Sequence, residues 1–112
     1  MKTLILLIAV FFLTYISSAQ NVNIPNANFK DALIEAGVDT SGDGEISSAE
    51  AEAVITLNLN KKNISDMTGI EAFKNLVNLD CSYNYLTILD VSNNTALTDL
   101  LCYKNQLTSL DV

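Results

Sequence analysis

Two stretches of this chain carry the same unit 21 residues apart. Leu76, Leu79, Cys81, Asn84, Leu86, Leu89, Asp90 and Val91 recur as Leu97, Leu100, Cys102, Asn105, Leu107, Leu110, Asp111 and Val112. Self-similarity at a fixed period of this size marks an architecture of stacked repeats. A single unit cannot bury its own apolar face, so neighbours bury it for one another. The pattern reads L-x-x-L-x-L-x-x-N-x-L, and it predicts an α/β solenoid. Leu79-x-Cys81 is expected as a short strand with both side chains inward, paired in parallel with its equivalents above and below. Asn84 and Asn105 fall where the chain leaves the strand, and their amides can bond main-chain groups inside the turn. The stretch from Leu86 to Asn94 then returns on the outer side, with Leu86, Leu89 and Val91 inward and Asn93-Asn94 as the next turn. An earlier copy, offset by 22 residues, lies in Val54, Leu57, Leu59 and Ile64. It departs at Lys62, which takes the asparagine slot, as suits an atypical first repeat beside a cap.

The rest of the chain divides around these repeats. Met1-Lys2-Thr3, the apolar run Leu4 to Leu13 and the small residues Ser17-Ser18-Ala19 read as a secretory signal peptide over 1–19. The run is shorter than the ~20 residues that span a bilayer. Residues 20–53 are expected as a helical cap and 54–112 as repeats, divided 54–75, 76–96 and an incomplete 97–112. The last repeat stops at Val112 with no polar unit after it, which predicts either a longer surface protein with further repeats and a sorting or anchoring tail, or edge-to-edge self-association of a chain that ends there.

Within the cap, Gln20 to Asn23 is a polar lead. Ile24-Pro25-Asn26 reads as a helix start, with Asn as the cap. Phe29, Ala32, Leu33 and Ala36 share one helical face, and Gly37 is a natural stop. A second helix is predicted from Ser48 to Val54. Between them, Asp39-Thr40-Ser41-Gly42-Asp43-Gly44-Glu45-Ile46-Ser47-Ser48-Ala49-Glu50 has the length and layout of an EF-hand loop. Asp39 and Asp43 would give carboxylate oxygens, Ser41 a hydroxyl, Glu45 its main-chain carbonyl, and Glu50 both oxygens at the closing position. Calcium is a hard cation that takes six to eight such oxygens, here at the ~10⁻⁴–10⁻³ M affinity of extracellular modules. The bland alternative is a structural lid, because Ser47-x-x-Glu50 is also a capping box. Only one such loop is present, so Ile46 is expected to lack the partner loop it would ordinarily pair with.

Composition narrows the function. The chain carries a formal net charge of −7, with no arginine and no histidine. That disfavours nucleic acid, whose phosphates are bound by Lys and Arg, and anionic membrane surfaces. Without histidine the commonest general base is missing, and no glycine loop cradles a phosphate. A non-enzyme is expected. Two cysteines in an exported chain invite a disulfide. Strands ~4.8 Å apart would bring Cys81 and Cys102 within reach of one. Both nevertheless fit inward positions where free cysteine acts as a small hydrophobe.

The repeat motif, the opening copy Leu57-Asn58-Leu59-Asn60-Lys61-Lys62-Asn63-Ile64-Ser65-Asp66-Met67-Thr68-Gly69-Ile70-Glu71 and the EF-hand-like cap together resemble the leucine-rich-repeat family, in particular its secreted, internalin-like bacterial members. The resemblance spans Ile24 to Val112. It implies a secreted or cell-surface location and a curved parallel sheet whose concave face binds a protein or carbohydrate partner. It also allows a cap that keeps the EF-hand shape without the metal. Strand alternation then names the outward positions: Thr56, Asn78 and Asp99; Asn58, Asp80 and Leu101; Asn60, Ser82 and Tyr103. Lys61, Tyr83 and Lys104 stand at the strand exits. Of these, Asn58, Asn60, Asp80, Ser82, Tyr83, Leu101 and Tyr103 form the expected partner-binding set, with Tyr83, Tyr103 and Leu101 as anchors. A calcium-stabilised structural or adhesive surface element is the alternative function.

Overall fold

The structure is a computed structural model that describes residues 20–112. The expected signal segment 1–19 lies outside the described residues. Helix α1 covers Ala27–Glu35 and α2 covers Ser48–Glu52, and five three-residue strands follow. They are β1 (Thr56–Asn58), β2 (Asn78–Asp80), β3 (Ile88–Asp90), β4 (Asp99–Leu101) and β5 (Ser109–Asp111). Among the described residues no helix is long and apolar enough to cross a membrane.

The caps of α1 are those its sequence supplies. The Asn26 side chain accepts from the Phe29 N–H at 2.9 Å, satisfying one of the donors a helix start leaves free. At the other end Gly37 takes φ +85°. The Gly37 N–H donates to the Ile34 carbonyl and the Val38 N–H to that of Leu33, the paired bonds of a Schellman stop. Phe29, Ala32 and Leu33 are buried as expected. Ala36 is exposed, because it is the C-cap, where the chain already turns away from the core. Helix α2 stops at Glu52, short of the expected Val54, with Ala53 as its C-cap. Val54 is half-buried on the approach to β1.

Strands β1, β2 and β4 form one parallel sheet in that order. Leu57 lies beside Leu79, and Leu79 beside Leu100. The offsets are those of the sequence repeat, 22 residues and then 21. Leu57, Leu59, Leu79 and Cys81 point inward and are buried. The return stretch adds a feature the sequence reading did not foresee. Ile88–Asp90 and Ser109–Asp111 pair in parallel as a second, two-stranded sheet. Leu86, Leu89 and Val91 are buried between the sheets, as their pattern predicts. In the first repeat the return is not a strand but a bend ending in a 3-10 turn over Ile70–Ala72. Phe29, Leu33 and Ile46 of the cap belong to the same buried cluster as Leu57, Phe73, Leu79 and Leu89, so cap and repeats share one core. The third rung has a described neighbour on one side only, and its Leu97, Leu100, Cys102 and Leu107 are partly buried.

The asparagine turns carry the stacking. The buried Asn84 amide donates to the carbonyls of Leu59 and Cys81, both at 2.9 Å, and to that of Ser82 at 3.2 Å. Its oxygen accepts from the N–H groups of Lys62 and Ile64 at 3.0 Å each. Asn105 repeats the device one rung on, donating to Cys81 and Cys102 and accepting from Leu86. Lys62 sits where the first rung would have its own asparagine, and instead pairs with Glu35 of α1 at 3.0 Å. The atypical slot therefore ties the first repeat to the cap.

Candidate functional site

Two places bring chemistry-bearing residues together. The first is the loop between α1 and α2. Ligand oxygens of Asp39, Asp43 and Glu50 lie within 4.8 Å of one another. That span matches oxygens at ~2.3–2.6 Å on opposite sides of a single calcium ion. The loop shapes itself around the same carboxylates. Asp39 Oδ1 accepts from the Gly42 N–H at 3.0 Å and the Ser41 hydroxyl at 3.2 Å, and Oδ2 accepts from the Gly44 N–H at 2.9 Å. Glu50 Oε1 accepts from the Ser47 N–H at 2.8 Å while Oε2 accepts from the Ser41 N–H at 2.9 Å. Gly42 and Gly44 both take positive φ, the backbone state that glycine adopts without strain.

These donors hold the loop anionic. The Gly44 N–H, with Ser41, Gly42 and Asp43, keeps the Asp39 carboxyl below its ordinary value. The Ser47 and Ser41 N–H groups lower that of Glu50 to about 2. Asp39 accepts four such bonds, from Ser41, Gly42, Asp43 and Gly44, which fill the roughly four lone-pair sites of a carboxylate. Asp43 accepts one and Glu50 three, so a hard cation would find open lone pairs on Asp43 and Glu50 and would have to displace a loop donor at Asp39. Glu45 Oε1 pairs with Lys30 of α1 at 2.7 Å, and its carboxylate is not among the three that cluster. Ser47 accepts from the Glu50 N–H and completes the capping box.

Ile46 meets no second loop among the described residues, but its edge is still paired. Asn21 forms an antiparallel bridge with Ser47. The Val22 N–H donates to the Ile46 carbonyl at 2.8 Å, and the Ser48 N–H to the Gln20 carbonyl at 2.9 Å. The lead at 20–22 occupies the edge a second loop would take, and Ile46 is fully buried.

The second place is the outer face of the β1-β2-β4 sheet. Tyr83 and Tyr103 are exposed and meet edge to face, with centroids 5.5 Å apart and planes at 78°. That geometry suits the ring quadrupoles. The Lys61 ammonium lies 5.1 Å from the Tyr83 centroid, within cation–π range. Leu101 is exposed beside them. Lys61, Tyr83 and Lys104 share φ +57°, so the three strand exits throw their side chains outward alike. Asn58 and Asp80 are partly committed to local turns, accepting from the N–H groups of Asn60 and Ser82 at 3.0 Å. The Asn60 amide reaches Asp80 at 3.4 Å.

Ser82 is a correction. It was expected on the face and is fully buried. Strand alternation ends at Asp80, and the chain is already entering the Tyr83 turn. There the small serine lies between the equivalent positions Asn60 and Tyr103, with its carbonyl bonded to the Lys61 N–H. Its hydroxyl has no hydrogen-bond partner. Sequence reasoning also missed Asn94 as an individual. It is buried and donates to the carbonyls of Ile70 at 2.8 Å and Phe73 at 3.0 Å, bridging the return of one repeat to the next. Its signal was present in the Asn93-Asn94 pair, but either residue could have served. Cys81 and Cys102 are free. Burial, with the neighbouring Cys102 and Asp80, pushes the Cys81 thiol up to about 12.

Comparison with known proteins agrees with this architecture. No protein-family model matches the chain. It is 40% identical over 71 residues to Internalin J of Listeria monocytogenes, an alignment covering 63% of this chain and 8% of that relative's length. The solved functional domain of InlJ from Listeria monocytogenes, which includes a cysteine ladder, superposes with a TM-score of 0.63 at 32% identity, over 85% of this chain and 22% of that one. The structure of the CBM51-2 and INT domains of Clostridium perfringens ZmpB gives a TM-score of 0.63 at 27% identity, over 72% of this chain and 17% of that one. The chain is thus similar to internalins in sequence and in its β-rich repeat fold.

Proposed function

We propose that this chain is an extracellular or cell-surface leucine-rich-repeat interaction module whose concave sheet face binds a protein or carbohydrate partner. The observation that carries this reading is the exposed group Lys61, Tyr83, Tyr103 and Leu101 on one sheet face. Aromatic side chains held rigid on a scaffold supply contact area at low entropic cost. The likeness to Internalin J and the InlJ domain supports the same reading, and this chain too carries cysteines, Cys81 and Cys102, at equivalent positions of successive rungs. The module works by binding rather than by catalysis: the chain has no histidine, and its buried thiol is held protonated. Nucleic acid and membrane insertion play no part in the proposal.

The test is binding of the purified protein to an immobilised glycan panel and a panel of cell-surface ectodomains, beside a Tyr83→Ala/Tyr103→Ala variant of matched stability. Specific binding that the variant loses supports the proposal. Equal binding by both proteins overturns it.

A second function is favoured by the carboxylate cluster at Asp39, Asp43 and Glu50. In this reading calcium, bound by these groups with Ser41 and the Glu45 carbonyl, stiffens the cap that closes the end of the repeat stack. Calorimetric titration with calcium checks it; an absence of heat at millimolar calcium removes it.

A further inference from the structure

We propose that the cleft between the first and second return stretches takes an extended, lysine- or arginine-bearing peptide as an added strand along β3. The site is separate from the aromatic face. Its basis is an unpaired strand edge. The Thr87 carbonyl accepts from the Thr108 and Ser109 N–H groups, and the Val91 N–H donates to Asp111, so odd-numbered residues of β3 face β5. Alternate residues of a parallel strand turn their main-chain groups to opposite edges. Ile88 and Asp90 therefore present N–H and C=O groups away from β5, toward the first repeat.

Nothing in the first repeat meets them. The two returns are joined at one end by the Tyr85 N–H to the Ile64 carbonyl, and at the other by Asn94 to Ile70 and Phe73. Between those points no main-chain hydrogen bond links 65–69 to 87–91 among the described residues. The first return is held apart for local reasons. Asp66 Oδ1 accepts from both the N–H and the hydroxyl of Thr68, at 2.9 and 2.7 Å, which curls the segment. Gly69 takes φ +111°, with Ile24 Cγ1 2.8 Å and the Asn23 carbonyl 3.0 Å from where a Cβ would stand. The bend thus packs on the lead of the cap rather than on β3.

The gap is a cavity of about 630 Å³ lined by Ser65–Thr68, Ile70, Glu71, Thr87, Ile88, Asp90 and Asn93, within the ~300–1,000 Å³ range of ligand pockets. Its charge selects the occupant. Asp66, Glu71 and Asp90 line it and no lysine does. The Ser92 hydroxyl and N–H hold the Asp90 carboxyl below its ordinary value. An incoming strand would gain main-chain bonds from the Ile88–Asp90 edge, an apolar contact from exposed Ile88, and salt-sensitive attraction for alternate basic side chains. This is strand addition, in which the edge gives affinity and side-chain pockets give specificity.

The probe is a capped eight-residue peptide alternating lysine and valine, titrated into the ¹⁵N-labelled protein. The proposal expects amide shifts centred on Ile88 and Asp90, weakened at high salt. It expects no binding of a backbone N-methylated version or of a glutamate–valine peptide. An Asp90→Asn/Glu71→Gln variant, which keeps the local acceptors, should bind about fivefold more weakly through loss of exposed charge pairs. Four outcomes overturn the proposal: no shifts at millimolar peptide, equal binding of the N-methylated peptide, shifts confined to Tyr83 and Tyr103, or shifts at Ile88 that depend on protein concentration alone, which would assign the edge to a second copy of the chain. Binding of a glycan in this cleft in place of the peptide would overturn it as well.

Discussion

Asn84 holds two rungs together through five hydrogen bonds from one buried side chain. Removing it strands main-chain groups that water cannot reach, at about 1–3 kcal/mol for each group left unsatisfied. We expect Asn84→Ala to destabilise the protein by about 3 kcal/mol or more in urea unfolding, and Asn105→Ala, half-buried at the outer rung, by about 1 kcal/mol. Glu50 makes a prediction in pH. Its folded-state value is depressed to about 2 from an ordinary 4.5, so its contribution is complete above 4.5 and is lost as pH falls toward 2. Glu50→Gln should flatten the fall of Tm across that window, measured by circular dichroism melts at stepped pH. The leucines and asparagines were legible in the sequence because their burial follows from period alone. Ser82 was not, since alternation fails one residue beyond a strand end, and a three-residue strand is nearly all end.

At the scale of elements, the strongest local dependence lies where the cap meets the first repeat. A Cβ at Gly69 would meet Ile24 and Asn23, and φ +111° is itself strained for any other residue. Gly69→Ala should therefore cost about 2 kcal/mol and detach the lead, read as faster hydrogen exchange at the Val22 amide. Ser47→Ala removes the N-cap of α2 and should cost about 1 kcal/mol in the same unfolding assay. Helix α1 was legible because Asn26, the 3–4 spacing of Phe29 and Leu33, and Gly37 all agree. The bridge from the lead to the loop was not, because Gln20 to Val22 is too short to show strand periodicity and its partner lies across a helix. The second sheet was hidden for a similar reason. Leu89 and Val91 reveal only that the return faces inward, and they do so equally for a strand and for a bend such as the first repeat uses.

Over the whole molecule, cap and repeats are one packed body, with Phe29, Ile46, Leu57 and Leu89 in a single core. Stabilising the loop therefore stabilises the repeats. If the cap holds calcium, ion at about ten times Kd raises stability by about 1.4 kcal/mol by mass action, a shift of several degrees in Tm for a chain of this size. Melting with millimolar calcium and with chelator checks this, and Asp39→Asn/Asp43→Asn should abolish the difference. The repeat architecture was legible at this scale from a 21-residue period. The proposed binding face was legible only as a set of positions, because the sequence does not show that Lys61, Tyr83 and Tyr103 touch. Those contacts make a preorganised surface, and the account rests on that surface being the one the protein uses. The direct measurement is the dissociation constant for a partner drawn from the glycan and ectodomain panels, for the natural chain and for Tyr83→Ala/Tyr103→Ala. The account predicts a loss of at least about 2 kcal/mol in binding, as for a pair of interface hot spots, with Tm unchanged. An unchanged dissociation constant would contradict it.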